Sequence, residues 1–419
     1  MGFINDMVKT INILLQTGAA FFILIAILSI NACIRGSIYE EVYKIESAIE
    51  PPILKVGLSK YLGVDSVRIS IDSSFNITRL DGWIIMRNTK IRKATCTSIG
   101  DNIKIDDLTI KEKIVRLEPL NDGTVNIDGT NYHGNILIHN ENDKISLVNE
   151  VNVEDYLSGV IGKEIGNSSP EAALKTQAIT ARTFAIYEQR TSSYKNEKRI
   201  FDLYDDQRSQ VYGGIDSETS ATIKVVRETR GTVLAYNNKL VKTFYSSTCG
   251  GYTEPAWEIF PNDIEKGLPP LAGGKCGYCT SSKYYNWKAT FKKDELLKIL
   301  LPDKSEKMLQ SLTTSRYLPG GHVAQIAVTI SGEPNNIVLD AYSEFRRRIN
   351  SIGTSPNKNI RSTLFEIKDI GDSYQFIGKG WGHAIGLCQV GAINMASLGW
   401  DYRTILQYYY PQADIVKIY

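Results

Sequence analysis

Apolar residues recur along this chain in two rhythms, and the rhythm changes near residue 150. From residue 53 to 148 they fall in short β-branched runs, ILKVGL, SVRISI, WIIM, NIKI, EKIVRL, TVNI, NILIHN and KISLV. Turn sequences such as Asn121-Asp122-Gly123 and Asp128-Gly129 separate several of these runs. Short runs broken by Asn, Asp and Gly predict an antiparallel β region. No long helical period interrupts it, so these residues read as a scaffold or binding module rather than the seat of chemistry.

Beyond residue 150 the period lengthens. The stretch VNVEDYLSGVIGKEIGNSSPEAALKTQAITARTFAIYEQR, residues 151–190, predicts two helices with Glu164 between them. Asn152 is the expected cap of the first, over residues 154–162, with Glu154 and Asp155 placed where the helix dipole favours carboxylates. Ser169 caps the second and Pro170 opens it; Leu174, Ala178, Ala181 and Ala185 then share one face. Small side chains on that face allow close packing, which would hold Glu164, on the connection, against a rigid scaffold.

After a polar insertion at residues 194–199 comes DLYDDQRSQVYGG, residues 202–214. A helix is expected over 217–230, then the strands TVLAY and LVKTFYSS, a loop over 262–282 and a helix near 293–301. The segment 323–367 mixes strands with Arg346 to Arg348, read as a solvated face. Near the carboxy terminus, glycines 378, 380, 382 and 386 permit an irregular backbone around His383. A helix over 389–398 stops at Gly399, and Asp401 caps a last one that Pro411 ends. The expected class is α+β: an antiparallel β-rich region (53–148), then a mixed α/β catalytic core (149–419). A linker (37–52) and an amino-terminal signal or membrane anchor (1–36) precede them.

That amino-terminal expectation rests on residues 10–34, which carry no charge and lie between Lys9 and Arg35. An uncleaved anchor ranks first; a cleaved signal and lipidation at Cys33 are the alternatives. Composition changes the picture in one respect. Lys+Arg 48 against Asp+Glu 46 leaves a net charge of +2, which offers no basic field for nucleic acid.

Six cysteines add a second chemistry. Cys276 and Cys279 form a Cys-x-x-Cys, and Cys249 and Cys388 stand in glycine-rich segments. Four thiolates can close a tetrahedral zinc site, structural because no position is left for substrate. Disulfides are the alternative that an oxidising compartment permits. Cys96, in the β region, has no evident partner.

Four blocks in order carry a resemblance: VNEVNVEDYLSGVIGKEI with ALKTQAITARTFA, then DLYDDQRSQVYGG, YSSTCGGYTEPAW, and GKGWGHAIGLCQVGAINMASLGWDYRTILQYYYP. With these the chain resembles the stage II sporulation protein D family, which includes amidase enhancers of bacterial cell walls. The resemblance implies a membrane-anchored lytic transglycosylase outside the cytoplasm, cutting peptidoglycan between N-acetylmuramic acid and N-acetylglucosamine. The alternative is a glycan-binding partner of a cell-wall amidase. The family's catalytic glutamate falls on Glu164, and some relatives hold zinc with a Cys/His mixture. Many relatives carry Met-Pro where this chain has Ile165-Gly166, and a histidine where Tyr245 stands.

Such an enzyme needs one carboxylic acid, which protonates the leaving oxygen and then helps the sugar's own 6-hydroxyl attack. It therefore escapes the two-carboxylate requirement of ordinary glycoside hydrolysis. Apolar neighbours must raise the acid's pKa, and Val160, Ile161 and Ile165 are suitably placed in sequence. Asp206, Gln207 and Gln210 are candidates for sugar hydroxyls, Tyr204 and Tyr212 for stacking, and His383 and Gln389 for further contacts.

Overall fold

The computed structural model describes residues 44, 45, 50–90, 92–195, 199–351 and 358–419, with the side chains of 193–195 excepted. The expected membrane segment, and Cys33 with it, lies outside the described residues. Among the described residues no helix is long and apolar enough to cross a membrane. Met1–Glu46 forms one unit and Ser47–Tyr419 another, the second holding the whole of the β-rich region and of the core beyond it.

The β-rich part builds two sheets, of seven and six strands. In the larger, Ile53–Gly57 pairs antiparallel with Lys144–Asn152, which pairs with Asn135–Glu141. Its apolar side chains, among them Leu54, Val56, Leu117, Ile136, Ile138 and Leu147, are fully buried. One strand of this sheet comes from further along the chain: Leu203–Tyr204 runs parallel to Ile53–Gly57. The DLYDDQRSQVYGG block is thereby fixed to the scaffold.

The strand Lys144–Asn152 feeds directly into α1, Val153–Ile165, capped by Asn152 Oδ1 on the Glu154 amide at 2.7 Å. α1 runs three residues past the expected stop, so Glu164 sits in its last turn rather than on the connection. Gly166 ends it with a φ of +90°, which a proline could not adopt. The loop after the acid is therefore shaped differently from a Met-Pro loop.

α2, Glu171–Lys195, is buried on more than the alanine face: Thr176, Gln177, Thr180, Arg182 and Thr183 are also inaccessible to water. Arg182 is neutralised by Glu154, with Nη2 to Oε2 at 2.7 Å and Nε to Oε1 at 2.9 Å. Glu154 also accepts from the Tyr419 hydroxyl at 2.6 Å and the Gly231 amide at 3.2 Å. Burial pushes the Glu154 carboxyl up, but Arg182 and Tyr419 bring it below the ordinary glutamate value. Glu154 does sit in the first turn, as expected, and is also part of a buried ion pair.

The helix expected over 217–230 is shorter: a 3-10 turn at Ile215–Ser217, then α3, Ser220–Glu228, closed by a Thr219/Thr222 capping box. Of the run LVKTFYSS, Leu240 closes the two-residue strand Lys239–Leu240, and Tyr245–Ser246 forms a second one, parallel to Leu387–Cys388. That small ladder joins two of the four sequence blocks. A separate core forms where α4, Lys293–Leu300, packs with strands from residues 286 to 379. α5, Gln389–Ser397, and α6, Tyr402–Tyr409, complete the fold, the latter capped by Asp401 on the Thr404 amide at 2.9 Å.

Candidate active site and cysteine cluster

A cavity of about 840 Å³ opens beside the end of α1, and Glu164 lines it. The Val211 amide donates to Glu164 Oε1 at 2.7 Å. The Tyr245 hydroxyl and the Gln389 side chain also hydrogen-bond this carboxyl. Burial pushes Glu164 above the ordinary glutamate value, while these three donors favour the charged form and moderate the rise. Phe184, Val211 and Phe244 line the cavity, and Val160, Ile161 and Ile165, on the same helix as the acid, are buried.

Behind the acid runs a chain of buried groups. Tyr156 donates to Gln210 Oε1 at 3.1 Å, and Gln210 Nε2 donates to the Tyr245 hydroxyl at 3.0 Å and the Ala181 carbonyl at 3.2 Å. Burial and the neighbouring Glu164 charge hold the Tyr245 hydroxyl well above the ordinary phenol value, so it stays a donor.

The residues expected at the site divide. Glu164, Gln207, His383 and Gln389 share the cavity wall. Gln210 and Tyr212 do not reach it. Gln210 is fully buried between Tyr156 and Tyr245, and Tyr212 packs on Tyr156 and donates to Asn149 Oδ1 at 3.1 Å. Tyr204 and Asp206 also lie off the cavity, engaged by Arg208. The Arg208 guanidinium stacks 3.6 Å from the Tyr204 ring centre and pairs with Asp206 at 2.7 Å, which brings that carboxyl down to about 2.

His383 accepts from the Ile385 amide at Nδ1, 3.0 Å away, and burial next to Arg346 lowers it to about 4. It is a neutral wall residue over the working pH range. Arg346 itself corrects an expectation. A π-helical turn, Ala341–Arg346, carries Tyr342 and Arg346 to the cavity, and burial lowers the Arg346 guanidinium's pKa instead of leaving it a solvated charge. Lys242, Tyr342 and Trp381 complete the set that sequence reasoning missed. No local pattern marks them, because tertiary packing brings their segments together.

Near this cavity, Cys249, Cys276, Cys279 and Cys388 are buried, with their sulfurs all within 4.8 Å of one another. Cys249 and Cys279 sulfurs stand 3.6 Å apart, far beyond a disulfide bond and close to the edge of a tetrahedron with metal–sulfur bonds of about 2.3 Å. The Cys249 amide points at Cys388 Sγ, 3.3 Å away, as it would toward a thiolate. Hydrogen bonds from Cys249 and Cys279 lower the Cys276 thiol, whereas burial raises Cys388. This cluster could hold a metal ion. Cys96 is buried in the β region and stands apart from it.

Fold and site together define an α+β protein with the Glu164 cavity set beside a thiol cluster. The family described as Stage II sporulation protein (SpoIID) matches residues 141–236, and one described as Domain of unknown function (DUF8618) matches 270–386. An uncharacterized protein of Brachyspira hyodysenteriae is 30% identical over 318 residues, covering 75% of this chain and 79% of that one. The amidase enhancer of Bacillus subtilis is also 30% identical, over 62% of this chain and 40% of its own length. Stage II sporulation protein D of Bacillus amyloliquefaciens is 28% identical over 64% and 75%. The chain belongs to the SpoIID/LytB family.

Proposed function

We propose that this protein is a peptidoglycan lytic transglycosylase with Glu164 as its single general acid and base. The observation that carries the reading is a carboxyl raised by burial yet facing a cavity large enough for sugar rings. Glu164 would protonate the glycosidic oxygen between N-acetylmuramic acid and N-acetylglucosamine, then draw the proton from the 6-hydroxyl as that oxygen closes on the anomeric carbon. Gln389, Gln207 and His383 would meet sugar hydroxyls from the wall. Asp206, Tyr204, Gln210 and Tyr212 would act through the residues they hold.

Digestion of purified peptidoglycan, read by mass spectrometry, is the test. Release of 1,6-anhydro-muramoyl ends by the wild type, and loss of on the order of a hundredfold or more in Glu164→Gln, would sustain the reading. Equal release by the folded variant would overturn it.

A second reading is a glycan-binding enhancer of a cell-wall amidase. It is favoured by the name of one relative and by the three donors on Glu164, which suit a carboxylate that binds rather than reacts. Under either reading the protein would work on the outer side of the cell membrane, held by its amino-terminal segment. The four cysteines would bind one zinc ion, whose chemistry there is that of a structural cross-link.

A further inference from the structure

Of the cations that line the Glu164 cavity, Arg346 is both withdrawn from water and without a counter-ion among the described residues. Lys242 pairs with Glu188 at 3.1 Å and Asp263 at 3.5 Å, Arg208 pairs with Asp206, and Lys163 is exposed. Arg346 Nε donates to the Ile360 carbonyl at 2.9 Å, and its two Nη groups hydrogen-bond no described residue. The next two arginines do not share this state: Arg348 pairs with Glu344 at 2.9 Å, and Arg347 is exposed. A guanidinium taken out of water without a counter-ion is destabilising, and an anion arriving in the cavity would offset that.

Aromatic rings lead from the acid to this guanidinium. Phe244 precedes Tyr245, whose hydroxyl binds Glu164. The Phe244 and Phe260 rings stack with centres 5.0 Å apart, Tyr342 meets Phe260 edge-on at 5.7 Å, and the Arg346 guanidinium lies 5.6 Å from the Tyr342 ring centre. Such rings give a sugar an apolar surface to lie on. The two ends of this wall come from different parts of the chain. Glu164 belongs to the segment matched by the SpoIID family, whereas Tyr342 and Arg346 belong to the segment 270–386 matched by the domain of unknown function. The second segment thus adds a wall to the cavity as well as building a core of its own.

We infer that Arg346 is the residue by which the cavity selects muramic acid: its Nη groups take the lactyl carboxylate of an N-acetylmuramic acid residue held on the aromatic wall. The inference rests on the peptidoglycan reading above. In a strand of N-acetylglucosamine and N-acetylmuramic acid the lactyl carboxyl is the acidic group, and it is free to ionise only where no stem peptide is attached. Two parallel N–H groups match the two oxygens of a carboxylate, so the contact fixes the sugar's orientation as well as its charge. A chitin-like strand offers the same ring faces and no such partner.

The test is calorimetric titration of the full chain with three probes of equal length: a peptide-free peptidoglycan strand with free lactyl carboxyls, the same strand with those carboxyls converted to methylamides, and a chitooligosaccharide. The charged strand should bind at least about tenfold more tightly than either neutral probe. Arg346→Met should erase that preference while leaving affinity for the two neutral probes unchanged, and Arg346→Lys should retain part of it. On the charged strand, Arg346→Met should raise KM for release of anhydro ends more than it lowers kcat. Equal affinity of the wild type for charged and neutral strands overturns the inference. So does an undiminished preference in Arg346→Met, or an equal loss of all three probes, which would mark a structural role. Binding of none of the three by the wild type would overturn both this inference and the glycan reading. Preference for the charged strand without release of anhydro ends would instead count against the transglycosylase reading and leave Arg346 assigned.

Discussion

The Tyr245 hydroxyl stands between Gln210 and Glu164, accepting from the Gln210 amide at 3.0 Å and hydrogen-bonding the Glu164 carboxyl. A phenol, at the position where the family resemblance leads one to expect histidine, thus donates to the acid without carrying a charge of its own. An imidazolium there would depress the Glu164 pKa by Coulombic attraction; the phenol lowers it only through a hydrogen bond.

Tyr245→Phe removes one of the groups that favour ionised Glu164. Its pKa should rise further above the ordinary value, so the protonated acid persists to higher pH. The alkaline limb of the pH–rate profile for anhydro-muropeptide release should move upward relative to wild type, with a lower maximal rate. An unmoved limb would show that the hydroxyl does not tune the acid.

Arg182→Met should destabilise the fold by about 3–5 kcal/mol, since it leaves the Glu154 carboxylate buried and unpaired. The direction with pH comes from the lowered Glu154 value. This pair's stabilisation is fully present above the ordinary glutamate pKa and is lost as pH falls through the lower, folded value. Urea melts at pH 7 and pH 3 should differ less in Glu154→Gln than in wild type.

Elemental analysis of protein purified without added metal should find one zinc per chain. A strong chelator and Cys388→Ser should each lower the Tm, because the cluster ties together segments more than a hundred residues apart. Metal-free protein with two disulfides would decide for the alternative.

For topology, protease added to intact spheroplasts should digest the body if residues 10–34 anchor it outside the cytoplasm. Full protection would reject that arrangement.

What was legible in the sequence was whatever local chemistry dictates. Asn152 and Asp401 cap helices as read, and Gly399, at φ +89°, follows the end of α5. Most of the β-branched runs became strands with buried apolar side chains; Ile84–Thr89, from the run WIIM, is a strand with none fully buried. The cysteines were legible too, by ligand type, and their sulfurs do converge. Glu164 was singled out by motif, but its place in the last turn of α1 was not, because the helix expected to end at Gly162 continues to Ile165. Gln210 and Tyr212 misled for a physical reason. Polar side chains in a turn look like ligands for substrate, yet here partners already inside the core satisfy them. Arg346 was opaque because a π-helical turn, not its sequence neighbours, aims it.

Gln389, a donor to Glu164, is one peptide unit from Cys388, and Ser247 in the cavity wall is two residues from Cys249. The aim of the acid therefore depends on thiol history. A chain that oxidised two of these sulfurs to a disulfide would draw on both segments and so shift the amide beside the carboxyl. Preparations of this protein should be judged by sulfur oxidation state as well as by fold.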